Sequence, residues 1–149
     1  GCLEPSIKDK FVLVEKAVRD EGTSYHYLKP STYVETDRDL CGQVENFLIE
    51  KQFEFVKATT WTNDAYYRET KQKVAMAKKL GAVAVEMECA SWCAVAKCRG
   101  FKFAQLLYFS DLVNQDAWTR LIKQKKGYHT DRKDVIVLLV KDMIDDYAK

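Results

Sequence analysis

No apolar run in this chain of 149 residues is long enough to span a bilayer, and no signal-peptide pattern is recognised. An excess of one charge is also missing. Its 24 Lys and Arg against 22 Asp and Glu leave a net +2, too little to argue for nucleic acid or an anionic membrane as partner. Lys123, Lys125 and Lys126 do gather, but a short basic run reads as solvated surface. No Cys-x-x-Cys pair occurs, and the cysteines (Cys2, Cys41, Cys89, Cys93, Cys98) are odd in number. Cys89 and Cys93 lie one helical turn apart, a weak metal signal. Free thiols packed as small apolar groups, in a reducing cytoplasm, are the simpler expectation. Repeats, low-complexity segments and linkers are absent as well. What is present is an ordinary globular balance, 47% hydrophobic and 31% charged, in a length that suits one domain over residues 1–149.

The chain is organised around Ala82-Val83-Ala84-Val85-Glu86-Met87-Glu88-Cys89-Ala90-Ser91-Trp92. Entered from Gly81, its apolar start reads as a strand buried on both faces. It ends in two carboxylates and runs on into small, helix-compatible residues from Cys89 to Cys98. Parallel strands deliver side chains to a crevice at their carboxyl ends, where α/β proteins bind ligands. Two readings stay open for the acids. They can serve the positive end of a helix, with Met87 as core filler, or they can serve a ligand. A second apolar run, Phe103 to Phe109, ends in another polar pair, Ser110-Asp111, and adds weight to the ligand.

Taken in order, Phe11 to Val18 reads as a strand and Arg19 to Tyr27 as a polar, aromatic loop closed by Pro30. His26 in that loop is either a hydrogen-bonded anchor or a proton carrier. Asp37 to Lys51 reads as an amphipathic helix capped by Asp37, with Leu40, Val44, Phe47 and Leu48 inward. Phe53 to Thr60 reads as a strand, followed by a loop through Tyr66-Tyr67 and a helix from Arg68 to Leu80 stopped at Gly81. Asn114 to Lys126 is polar and partly helical. A last helix capped by Thr130 or Asp131 buries Val135, Leu138, Leu139 and Ile144. Alternating strands and helices predict an α/β three-layer sandwich with a mixed, largely parallel sheet.

Three stretches make the chain resemble the nucleoside phosphorylase family of purine nucleoside phosphorylases, uridine phosphorylases and related nucleosidases. Ala17 to Tyr27 looks like the family's central loop, Ala84 to Ala90 like its most specific motif, and Phe109-Ser110-Asp111 falls where purine-cleaving members carry a Ser-Asp pair. The Tyr66-Tyr67 pair precedes the Glu-Met-Glu motif by the expected interval. Together these motifs are specific; singly each is weak. The resemblance implies that Tyr66 stacks on the base, that Glu88 accepts hydrogen bonds from the ribose hydroxyls, and that Met87 packs on the sugar, with Glu86 in the same motif. It implies that Asp111, supported by Ser110, protonates or hydrogen-bonds the departing purine, assisted by Arg132. A carboxylic acid does that only if its pKa is lifted above about 3.9.

The resemblance also implies phosphorolysis of purine nucleosides, with inorganic phosphate as co-substrate, no cofactor, and a cytoplasmic homo-oligomer acting in nucleoside metabolism and purine salvage. A hydrolytic nucleosidase and a non-catalytic binding or assembly module are the alternatives. The chain starts at Gly1, without methionine, just after the family's phosphate-site Arg and Ser. The expectation is therefore a truncated, C-terminal portion of the fold, lacking the N-terminal strands and the phosphate cradle. Arg68, Arg120 and Arg132 are poor substitutes for that cradle. Truncation would expose strand edges, which favours pairing with another chain.

Overall fold

Phe11 to Val14 is apolar on consecutive positions, so a strand made from it must be covered on both faces. In the computed structural model, which describes residues 1–113, 118–121 and 128–147, it is. The strand β1 spans Phe11–Asp20, and Val12, Leu13 and Val14 are wholly shielded from solvent. After it come β2 (Tyr33–Glu35), α1 (Arg38–Glu50), β3 (Phe55–Asn63), α2 (Lys71–Lys79), β4 (Ala82–Glu86) and α3 (Cys89–Arg99). The short strands β5 (Leu106–Leu107), β6 (Asp111–Val113) and β7 (Trp118–Arg120) precede the last helix, α4 (Tyr128–Tyr147).

The central strands β1, β3 and β4 are parallel and adjacent in that order. The free edge of β1 is shared by two antiparallel neighbours, β5 against Val12 and Leu13 and β2 against Lys16 to Val18. The sheet is thus parallel at its centre and antiparallel at that edge. An irregularity in register between Val14 and Lys16 adds a residue to β1. It puts Leu13 and Val18 on one face although they are an odd number of residues apart.

That face is covered by helices α1, α2 and α4. Leu13 packs with Cys41, Val44, Phe47 and Leu48 of α1 and Leu139 of α4, while Val18 and Trp61 pack with Val74 and Ala77 of α2. The opposite face, with Val12, Val14, Ala17 and Ala84, receives Cys89, Ala90 and Cys93 of α3. Small residues on α3 let its backbone approach the sheet closely. Each fully buried Val or Leu contributes about 1.5–3 kcal/mol relative to exposure. These three layers are the expected sandwich. The thiols of Cys2, Cys41, Cys89 and Cys93 are buried and free, as small apolar groups are, whereas Cys98 is exposed.

Local signals placed several ends correctly. Asp37 accepts the Leu40 amide at 2.9 Å and caps α1, and Gly81 takes φ +81°, a left-handed value that ends the α2 turn. Other expectations need correction. Arg19 and Asp20 belong to β1 rather than to a loop. The helix expected from Arg68 begins only at Lys71, after the Thr70 cap, because Tyr66–Arg68 forms a separate 3-10 turn. The run from Phe103 to Asp111 is not one strand of a further βα unit: two residues pair antiparallel with β1, and Asp111 opens β6. Within the stretch from Asn114 to Lys126, Trp118–Arg120 is strand, paired antiparallel with β6, while 114–117 and 122–127, including the three lysines, lie outside the described residues. Helix α4 is already formed at Tyr128, ahead of the expected caps. Leu139 is buried there, but Leu138 and Ile144 are 60% and 62% exposed, and the Val135 side chain lies outside the described residues.

The start of the chain joins two strand ends that are distant in sequence. Residues 1–3 lie between β4 and β6. The Leu3 amide donates to Val83 O at 2.8 Å and the Val85 amide to Gly1 O at 2.9 Å; on the other side the Cys2 amide donates to Asp111 O at 2.7 Å and the Val113 amide to Cys2 O at 2.8 Å. This segment carries the start of β6 to within reach of the end of β4.

Candidate active site

Strands β3 and β4 end side by side, with Thr62 opposite Glu86. The Glu86 carboxylate accepts from Thr62 Oγ1 at 2.6 Å and Thr60 Oγ1 at 3.4 Å through Oε1, and from the amides of Glu88 and Cys89 at 2.8 and 2.7 Å through Oε2. Thr62 Oγ1 in turn accepts the Ala90 amide at 3.0 Å. The first amides of α3, which have no partner within the helix, are therefore met by one carboxylate and one hydroxyl from the strand ends. Burial raises the pKa of Glu86, and the donors from Thr62, Cys89 and Glu88 oppose that rise.

The two open readings of the motif thus divide by residue. Glu86 serves the helix and fixes the turn. Glu88, at the N-cap position, makes no side-chain cap bond. Its carboxylate is exposed and, among the described residues, accepts from the Met87 amide alone, at 3.3 Å. Met87 is 43% exposed beside it, which is costly for a thioether that could have been buried and leaves it available to an apolar ligand face.

Across from the motif stands Asp111. Ser110 Oγ donates to its Oδ2 at 2.5 Å, while Oδ1 is buried and has no hydrogen-bond partner among the described residues. Buried acceptors are nearly always satisfied, so this oxygen is a place for a donor from outside. Tyr66 stands at the same hollow, half exposed, with Tyr67 edge-on at 5.2 Å. The hollow itself holds about 270 Å³; Val85 and Val113 contribute to its wall, together with Tyr66, Glu69, Glu86, Met87, Glu88 and Asp111. That is near the lower end of the about 300–1,000 Å³ usual for small-ligand sites.

The structure therefore brings Tyr66, Glu86, Met87, Glu88 and Asp111 into one place, with Ser110 behind Asp111. Arg132 falls on α4, but its side chain lies outside the described residues. Arg68 and Arg120 do not line the hollow. Glu69 does, and the sequence reading missed it. It is held by Asn63, and burial raises its pKa. The only signal for it in sequence was its place three residues after Tyr66.

The loop after β1 is tied to the same helix. Arg19, 5% exposed, donates through Nε to Ser24 Oγ at 2.8 Å and through Nη1 to Lys29 O and Ser31 Oγ at 2.8 and 2.7 Å, and lies over the Tyr25 ring at 4.2 Å. Glu21, equally buried, accepts from the Ser24 amide and hydroxyl and from Ser91 Oγ of α3 at 2.8 Å. His26 was expected to anchor this loop or carry protons. It is exposed and takes no part in these bonds; Arg19, Glu21 and Ser24 are the anchors.

An aromatic face, an exposed carboxylate and a half-buried carboxylate with one unpartnered oxygen among the described residues suit a flat, polar, hydroxyl-bearing ligand. Residues 1–141 match the model of the phosphorylase superfamily. The chain belongs to that superfamily. Among solved structures it is similar to MTAN from Helicobacter pylori (17% identity, TM-score 0.73, covering 98% of this chain and 64% of that one). It is also similar to a futalosine hydrolase mutant from the same organism (20%, 0.69, 98% and 64%) and to uridine phosphorylase from Vibrio fischeri ES114 (24%, 0.68, 89% and 52%). At these identities the likeness is one of fold. The chain spans about half to two thirds of the length of these structures. A uridine phosphorylase and a futalosine hydrolase both stand among them. Among the described residues no helix is long and apolar enough to cross a membrane.

Proposed function

We propose that this protein cleaves the N-glycosidic bond of purine nucleosides, passing the ribosyl group to inorganic phosphate and releasing the free base and ribose 1-phosphate. The observation that carries the reading is the shared hollow of Tyr66, Glu88 and Asp111. Tyr66 offers its ring to the face of the base. Glu88 accepts hydrogen bonds from the ribose hydroxyls, and charge-assisted bonds of this kind are strong and directional. Met87 packs on the sugar. As the C–N bond lengthens, the electron pair moves onto the base and positive charge grows on the ribose. Asp111 meets the base with its open oxygen, by protonation or by hydrogen bonding at a ring nitrogen, while Ser110 holds the other oxygen still. Phosphate then bonds to the anomeric carbon. The proposed reaction calls for no cofactor and belongs to purine nucleoside metabolism and salvage, which we assign to the cytoplasm.

A second reading, hydrolysis, draws on one observation. The described lining contains four carboxylates against one cation, the Gly1 ammonium, which feels Asp111, Glu69 and Glu86, and so negative a wall repels a phosphate dianion but admits water. Phosphorolysis thus requires cations from elsewhere, which a second copy of the chain would be placed to supply. We propose a homo-oligomer on the further ground that Val137, Leu138, Val140 and Ile144 of α4 are exposed together. Incubation with inosine, with and without phosphate, separates the readings. Hypoxanthine released only with phosphate supports phosphorolysis; equal release without it replaces that reading with hydrolysis. No release, together with no nucleoside binding in calorimetry, overturns both in favour of a non-catalytic module. A monomer at all concentrations in light scattering removes the oligomer.

A further inference from the structure

The thiols of Cys89 and Cys93 have no task in the proposed glycosidic cleavage. They lie one turn apart on the inner face of α3, 0% and 1% exposed, both free, with their Sγ atoms 3.9 Å from each other. A helix disfavours a disulfide at this spacing: residues four apart hold their Cβ atoms about 5–6 Å apart, whereas a disulfide needs about 3.5–4.5 Å. One bridging atom fits better. Bonds of about 2.3 Å to sulfur span about 3.5 Å when they meet at a pyramidal angle and about 4.6 Å when they are collinear, and the observed distance is nearer the first. A metal ion that completes its shell with protein ligands is not served. Among the described residues no three His, Cys, Asp or Glu side chains are placed to hold one, and Cys2, in the same core cluster, gives its thiol to Glu4 O at 3.1 Å. Open space reaches the pair from one side. Cys93 stands in the wall of a hollow of about 300 Å³, with Ala96, Phe101 and Phe103, and Lys97 and the charged residues at the start of α1 complete that wall. Phe103 is backed by the Trp92 ring, stacked at 6.3 Å.

We propose that Cys89 and Cys93 form a two-thiol site for a thiophilic atom that takes two protein sulfurs and brings its own third substituent, and that aryl compounds of trivalent arsenic are the class it receives. Two As–S bonds form and the two As–O bonds of the arylarsonous acid break. The two thiol protons leave with those oxygens as two molecules of water, and arsenic stays trivalent. The aryl ring lies in the hollow against Phe101 and Phe103. The pair does together what neither thiol does alone. The hydrogen bond to Cys93 and burial push the Cys89 thiol far above its ordinary range, so little thiolate is present for a one-site alkylating agent. Cys98, exposed near the end of the same helix, is the thiol such an agent meets first. The site shares no residue with the hollow of Tyr66 and Asp111 and does not rest on the nucleoside reading.

The test is incubation of the reduced full chain with phenylarsonous acid, followed by mass spectrometry and a thermal melt. The folded chain should take up one arsenic, keep it against a monothiol, release it to a dithiol, and melt at a higher temperature while it is bound, since a ligand of the folded state raises Tm. Cys89→Ala and Cys93→Ala should each lose the uptake, and Cys98→Ala should keep it. A second measurement needs no variant. When the treated parent is unfolded in urea and alkylated, peptide mapping should find Cys2, Cys41 and Cys98 labelled and Cys89 and Cys93 protected. No uptake by the folded chain, uptake only in urea, or protection that falls on other cysteines overturns the inference.

Discussion

Two polar clusters meet at the N-terminal turn of α3, and they are built on opposite principles. In the first, Arg19 and Glu21 are almost wholly buried, and their charged groups are taken up by Ser24, Ser31, Ser91 and backbone groups of the loop. In the second, Glu88 is exposed with one long bond, and Asp111 keeps a buried oxygen without a partner among the described residues. Burial alone does not distinguish them; satisfaction does. A buried network with every group met specifies the position of a loop and a helix. A neighbouring set left open at the same helix end is the arrangement expected of a candidate ligand site. Glu86 belongs to the first kind although it borders the second, since four donors meet its two oxygens.

Substitutions on either side can overturn this contrast. Asp111→Asn should have the largest effect, lowering kcat/KM for inosine by about 10²–10⁴-fold with little change in urea stability. A large loss of stability with intact turnover would move Asp111 into the structural cluster. Arg19→Leu should do the reverse. Leaving Ser24, Ser31 and the Lys29 carbonyl without the donors of Arg19 should cost about 2 kcal/mol in urea denaturation, and a variant as stable as the parent would remove the contrast. Glu88→Gln should weaken nucleoside binding by about tenfold or more in calorimetry while leaving free purine base unaffected, because only the sugar is lost to it. Equal weakening for base and nucleoside would take Glu88 off the ribose.

The smallest effect lies at the boundary between the two clusters. Burial holds the Glu86 carboxyl above its ordinary range in the folded protein. Folding therefore takes up a proton there, and the contribution of Glu86 to stability is whole below the unfolded carboxylate range near about 4.3 and declines as pH rises through the folded value. Urea denaturation across that interval should show Glu86→Gln gaining on the parent protein as pH increases. A difference independent of pH would mean that the hydrogen bonds to Glu86 cancel its desolvation, and a parent gaining on the variant would mean that they outweigh it.

Much of the fold was legible in sequence because its signals were local. Asp37 caps α1, Gly81 stops α2, and the apolar run of β1 announces a strand covered on both faces. The Glu-Met-Glu motif was legible as a strand end entering a helix, but not the division of labour inside it, which depends on Thr60 and Thr62 of a neighbouring strand. Glu69 carried no pattern at all. The strand expected from Phe103 to Asp111 misled for a related reason: apolar continuity says nothing about which edge a segment pairs with, and only a pair of leucines found β1. On α4, Leu138 and Leu139 look alike in sequence and differ wholly in exposure.

By itself, then, the order of residues determined the alternation of strands and helices, the turn chemistry between them, and the kinds of side chain available at the end of β4. Those depend on neighbours within a turn or a strand, where propensity and capping act. Only the tertiary structure decided that Asp111 stands across from Glu88. That meeting depends on a three-residue segment hydrogen-bonded to β4 on one side and β6 on the other, and backbone amides form such a bridge whatever side chains they carry, so no pattern of residues foretells it.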